Sequence, residues 1–118
     1  MKSTLLALFL SCTAALASDN LVQISGPVSQ RYYPNPNLKI VTHLLVESAG
    51  KPFLLLDYPG FANTAEGDTV TCYAVKGPVY EKTGQRIWYY VSDKRPTDQD
   101  KQAAAARIMQ KYRQKITF

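Results

Sequence analysis

Residues 66–91 read Glu66-Gly67-Asp68-Thr69-Val70-Thr71-Cys72-Tyr73-Ala74-Val75-Lys76, then Gly77-Pro78-Val79-Tyr80-Glu81, then Lys82-Thr83-Gly84-Gln85-Arg86, then Ile87-Trp88-Tyr89-Tyr90-Val91. A Gly-Asp turn launches a strand in which Val70, Cys72 and Ala74 alternate onto one face. Gly77-Pro78 is expected to break that strand. Lys82-Thr83-Gly84-Gln85 closes a hairpin, with Gly84 free to take positive φ. An aromatic strand over 87–91 answers it. This is the closing hairpin of a small β-barrel, and the preceding segments supply strands for it to close against.

Working back toward the N-terminus, residues 21–33 contain Val22, Ile24 and Val28 in alternation, with a bulge or bend expected at Gly26-Pro27. Pro34-Asn35-Pro36-Asn37 is a turn by composition. Residues 38–48 form the longest β-like run. Leu38, Ile40, Leu44 and Val46 share one face, and Val41, His43 and Leu45 lie on the other. Ala49-Gly50-Lys51-Pro52 turns the chain, and a third strand follows from Phe53. That strand is apolar on both faces, which predicts cover on both sides.

After the hairpin the period changes. Pro96-Thr97-Asp98-Gln99-Asp100 is a helix start, with Thr97 as N-cap and acids in the first turn. Ala105, Ile108, Met109, Tyr112 and Ile116 recur at helical spacing as one apolar stripe. Arg107, Lys111 and Lys115 fall on another face, which reads as solvated.

Three pieces carry a family resemblance: Pro52-Phe53-Leu54-Leu55-Leu56-Asp57-Tyr58-Pro59, Glu66-Gly67-Asp68-Thr69-Val70, and Gly77-Pro78-Val79-Tyr80-Glu81-Lys82 with the aromatic strand after it. Together they resemble small secreted bacterial OB-like proteins of unknown function, over roughly residues 22–91. The resemblance implies a five-stranded OB-like barrel; an SH3-like barrel has a similar strand count. The chain departs from the OB pattern in one respect: almost no sequence remains for a helix between strands three and four. The C-terminal helix is therefore expected to plug the barrel end in its place. The fold class read from the sequence is mainly β, with one C-terminal amphipathic helix.

The first seventeen residues carry processing signals. Lys2 precedes an apolar run, and Ala15-Leu16-Ala17 is the small-x-small pattern read by signal peptidase. The run is too short to span a bilayer, which takes ~20 apolar residues. Cys12, after Leu10-Ser11, is a poor lipobox; cleavage there would leave a lipid-anchored protein instead. The expected organisation is a signal peptide over 1–17, a barrel over 18–95, and a helix over 96–118 packed on it. The expected address is periplasmic or extracellular, with no integral membrane segment after cleavage.

The chain has 118 residues and a formal net charge of +5. Residues 18–81 hold four basic and six acidic side chains, and residues 82–118 hold nine basic and three acidic. The positive field therefore belongs to the last hairpin and the C-terminal segment, where it favours polyanions such as nucleic acid, anionic lipid headgroups or acidic glycans; another envelope protein is the other expected partner. Lys82, Arg86, Lys94 and Arg95, with Trp88 and Tyr90 as a stacking surface, are the candidate binding residues.

Other chemistries find little support. After cleavage Cys72 is the single thiol, and His43 is the single histidine of the chain. A Cys–His nucleophilic pair is formally open, but Cys72 sits among inward apolar residues and behaves there as a small hydrophobe. Scattered carboxylates with one Cys and one His do not make a metal site. There is no glycine-rich phosphate loop and no serine elbow. The expectation is a binding module without enzymatic activity or cofactor, its ligand a peptide, glycan or oligonucleotide. The alternative is an interaction protein docking through its basic amphipathic helix. Mass spectrometry of the exported protein is expected to find Ser18 at the mature N-terminus. A diacylglycerol-modified Cys12 would place the cut before that residue instead.

Overall fold

The computed structural model describes residues 20–32, 43–81 and 83–118. Five strands form a closed barrel: β1 (Leu21–Tyr32), β2 (His43–Ser48), β3 (Lys51–Leu56), β4 (Thr69–Tyr80) and β5 (Gln85–Ser92). Their order around the barrel is β1-β2-β3-β5-β4, and β4 returns to β1. β3 and β5 pair in parallel, while the other neighbouring pairs are antiparallel. This is an OB-like connection, in place of the consecutive antiparallel neighbours of an SH3-like barrel. The expected leader, Cys12, the turn at 34–37, the first part of the 38–48 run and Lys82 lie outside the described residues.

β1 serves two partners. Residues from Leu21 to Pro27 pair with β4, and those from Val28 to Tyr32 pair with β2, with a register shift between Val28 and Gln30. Gly26 sits where β1 passes the β2–β3 hairpin. A Cβ there would lie 1.7 Å from the Glu47 carbonyl oxygen, so the crossing admits only glycine. The β2–β3 turn places Ala49 and Gly50 at φ 52° and 77°. Positive φ at both central residues is the hairpin geometry that matches strand twist. It lets β3 start at Lys51, two residues before the sequence reading placed it.

β4 runs through Gly77-Pro78 rather than stopping there. The register against β5 shifts between Lys76 and Val79, so the dipeptide is a bulge. Proline is tolerated because pairing with β1 has already ended at Val75. Gly77 is needed because a Cβ would lie 2.6 Å from the Tyr89 ring.

Two cores result. Ile24, Val28, Leu44, Val46, Leu55, Val70, Cys72 and Ala74 fill the barrel interior. Leu54, Leu56, Val75, Tyr89 and Val91 face outward from β3, β4 and β5 and join Ala104 and Ile108 in a second cluster. The helix α1 (Asp98–Tyr112) therefore lies on the outer wall of the barrel and does not plug its end. The β3–β4 connection supplies closure instead. Tyr58 and Phe61 pack against the interior cluster. Phe61 opens a 3-10 turn (Phe61–Asn63). The Arg31 guanidinium lies 4.6 Å from the Phe61 ring centroid, and its Nη2 donates to the Phe61 carbonyl at 3.0 Å.

α1 begins with a capping box: Asp100 N–H donates to Thr97 Oγ1 at 3.1 Å, and Thr97 N–H to Asp100 Oδ2 at 2.9 Å. It ends at Arg113 in a left-handed conformation, φ 56°. The buried positions are Ala104 and Ile108, with Tyr112 half-buried, a strict four-residue row. The wider stripe read from sequence is corrected at Met109, which is 44% exposed. Ile116 packs from the tail beyond the helix. Ile108→Ala is expected to cost about 2–5 kcal/mol, whereas Met109→Ala should stay within about 0.5 kcal/mol. Urea titration of both variants checks this. Equal costs would show that the helix does not seat on the wall through this row.

Candidate functional site

Each residue put forward from the sequence has a defined place. Trp88 is half-buried against the interior cluster, its ring 5.5 Å from Phe53 in an edge contact. Tyr90 packs edge-on to Tyr58 at 5.7 Å, and its hydroxyl donates to Asp93 Oδ1 at 3.0 Å. Burial, with the hydrogen bond and charge of Asp93, pushes its ionisation well above the ordinary phenol range. Arg86 is exposed at the start of β5, and Nη1 donates to the Gly77 carbonyl at 2.9 Å. Lys94 and Arg95 are exposed beyond the other end of that strand, the Arg95 guanidinium 5.8 Å from the Tyr73 ring. β5 has eight residues, about 26 Å at ~3.3 Å per residue. The structure thus sets Arg86 apart from Lys94 and Arg95 instead of joining them in one rim.

Arg86 has other company. A recess of about 310 Å3 is lined by Asn20, Lys76, Gly77, Pro78, Arg86 and the tail residues from Gln114 to Thr117. Lys76 comes from β4, Arg86 from β5 and Lys115 from the tail. Among the described residues the lining contains no acid. Two anchors hold the tail as its outer wall. Asn20 Nδ2 donates to the Thr117 carbonyl at 2.9 Å, and Ile116 and Phe118 pack in the outer cluster. Gly77-Pro78 sets the floor, where β4 bulges after leaving β1. The sequence reading missed Lys76 and Lys115. It placed Lys115 on a helix face, and nothing in the local pattern announces a tail that folds back 97 positions to Asn20.

Arg107 and Lys111, expected on a solvated face, are tied to the barrel. Lys111 Nζ and Tyr112 Oη both donate to Asp57 Oδ1 at 2.7 Å. Arg107 Nε lies 3.9 Å from Asp57 Oδ2, and its Nη2 donates to the Tyr90 carbonyl at 2.6 Å. Asp57 holds φ 67°, a conformation that Asp tolerates better than most residues. Tyr112 is held well above the ordinary phenol range, first by burial and then by the Asp57 hydrogen bond and charge.

Comparison with protein-family models, curated proteins and solved structures gives no match for this chain. The reading of the site therefore stands on its own geometry.

Among the described residues the thiol and the imidazole do not converge. Cys72 is fully buried in the barrel interior. His43 pairs with Leu56, which faces the outer cluster, so His43 and Cys72 lie on opposite faces of the wall. The His43 ring stacks on Tyr32 at 4.3 Å and meets Tyr80 edge-on at 6.4 Å. Among the described residues no three His, Cys, Asp or Glu side chains group as metal ligands. No helix there is long and apolar enough to cross a membrane.

Burial, followed by the negative charge of Asp93, pushes the Cys72 thiol up to about 12. A raised folded value stabilises the fold fully below the unfolded value, 9.0, and that contribution is lost as pH rises toward 12. Thiol reagents are therefore expected to label native Cys72 only as fast as the protein opens. Stability should fall with pH above about 9, and less steeply in Cys72→Ala. Rapid labelling of the folded protein at neutral pH would contradict the buried placement.

Proposed function

We propose that this protein is a small exported binding module of the bacterial cell envelope that takes an anionic group in the recess between β4, β5 and the tail. One observation carries the reading: Lys76, Arg86 and Lys115 line it from three separate segments, with no acid among the described lining residues. Positive charges brought together without compensation favour an anion from outside. The export half of the reading rests on the processing signals at Lys2 and Ala15-Leu16-Ala17.

The alternative, docking through the helix, loses its main support. The stripe that a partner would need is spent on the barrel, since Ala104 and Ile108 are fully buried there. Arg107 and Lys111 are likewise engaged with Asp57 and the β5 backbone. The β5 aromatics are not free platforms either, which weighs against a base-stacking site on Trp88 and Tyr90.

The test is a salt titration of the full chain against inorganic phosphate, an acidic oligosaccharide and single-stranded DNA. Binding should weaken as salt rises, because each contact exchanges with counterions. The Lys76→Ser, Arg86→Ser, Lys115→Ser triple variant should lose most of the affinity, while Lys94→Ser, Arg95→Ser should keep it. No binding of any probe at low salt would end the anion reading. Loss confined to the Lys94 and Arg95 variant would move the site to the far end of β5.

A further inference from the structure

The composition of the recess goes further than its sign. We propose that it recognises a terminal phosphate monoester, carried on a small soluble alcohol or sugar or on a lipid headgroup; this rests on the anion-site reading above. Three cations line it, and Asn20, Gln114 and Thr117 line the same space as polar residues. A phosphate monoester carries about −1.5 to −2 charges at pH 7 and offers three strong acceptor oxygens. One carboxylate offers a single charge and two oxygens, leaving a surplus of positive charge in the recess. Arg86 is pre-set for the task, because its Nη1 is anchored on the Gly77 carbonyl at 2.9 Å. The anchor uses one donor of the guanidinium and leaves the others for an oxyanion.

Size and shape agree. The recess, about 310 Å3, stands at the small end of ligand sites. Pro78 and Ile116 give it a short apolar side, enough for a few carbon atoms next to the phosphate. A nucleic-acid strand fits less well. Strand-binding sites combine a basic track with stacking rings, and no aromatic among the described residues lines this space. The next exposed cations named on β5, Lys94 and Arg95, follow its far end.

Calorimetry with glycerol phosphate, glycerate and glycerol tests the class directly, since the three differ in the acidic group. Glycerol phosphate should bind roughly tenfold tighter than glycerate, as charge-assisted hydrogen bonds to a dianion are the stronger set. Its affinity should rise between about pH 5 and 7, as the second phosphate proton leaves near ~6. Lys76→Ser, Lys115→Ser should weaken it by roughly tenfold or more, with Lys94→Ser unchanged; thermal melting confirms that each variant is folded. Phosphatidylcholine vesicles containing phosphatidic acid, or phosphatidylglycerol as the diester control, separate the two sources. Retention on phosphatidic acid alone, competed by glycerol phosphate, places the phosphate on a lipid. Binding of glycerol phosphate without vesicle retention places it on a soluble molecule. If glycerate or single-stranded DNA binds as tightly, with the same loss in the lysine variant, the recess remains an anion site and the phosphate class is wrong. If none of these anions binds, the anion site itself falls.

Discussion

The second half of β3, Leu54 to Leu56, is buried from both sides, and the rest of the molecule is arranged to allow it. Leu55 points into the barrel, while Leu54 and Leu56 point outward, and all three are nearly inaccessible. Burying one such side chain contributes about 1.5–3 kcal/mol. The interior can satisfy only Leu55. The outward pair needs a second layer, as do Val75, Tyr89 and Val91 beside them. α1 is that layer, so the helix belongs to the fold and not to a detachable appendage. Parallel pairing of β3 with β5 follows from the same demand, because it sets Leu56 beside Tyr89 and extends the outer apolar face across three strands.

Asp57 joins the two layers. It follows β3 directly, and its side chain is 5% exposed while facing Lys111 and Arg107, which are 52% and 40% exposed. Surface ion pairs of that kind contribute little by themselves. The buried carboxylate changes the balance, because without donors it would cost far more than the pairs contribute. Tyr112 matters most in this respect. Its hydroxyl donates to Asp57 from within the packed layer, and its ring lies 5.1 Å from Tyr89. One tyrosine thus serves Oδ1 and extends the apolar contact of the helix, while the buried Oδ2 takes no hydrogen bond and has the Arg107 Nε charge at 3.9 Å.

Much of the fold was legible from period and turn chemistry. Val70, Cys72 and Ala74 alternate inward as their spacing requires. Gly67 and Gly84 take the positive φ that their turns need. The Thr97 cap forms with Asp100 as its partner. The misreadings share one cause, the dependence on distant neighbours. Gly77-Pro78 looks like a stop, but β1 has already left that edge, so the proline breaks no ladder. Ala105 and Met109 fit a helical stripe as well as Ala104 does. Which side is buried depends on the approach angle to a wall formed by residues 54–91. Arg107 and Lys111 look solvated until Asp57, fifty-four positions before Lys111, comes beside them. The surplus of positive charge after residue 82 was visible, but its focus was not, because Lys115 meets Lys76 only when the tail turns back.

On the proposed reading, that turn is where stability and binding pull against each other. Arg113 leaves the helix in a left-handed conformation, and Ile116, Phe118 and the Asn20–Thr117 hydrogen bond draw the tail along the outer cluster. The same anchors carry Lys115 toward Lys76 and Arg86. Mutual repulsion of three cations around one small recess opposes the docking that puts them there, and no acid among the described lining residues offsets it. Elsewhere the chain does compensate its helix cations, spending Asp57 on Lys111 and Arg107. An acid on the bulge or the tail would relieve the recess in the same way at little structural cost. On the proposed reading, a negative group supplied by a ligand would relieve it too, and the relief would appear as affinity.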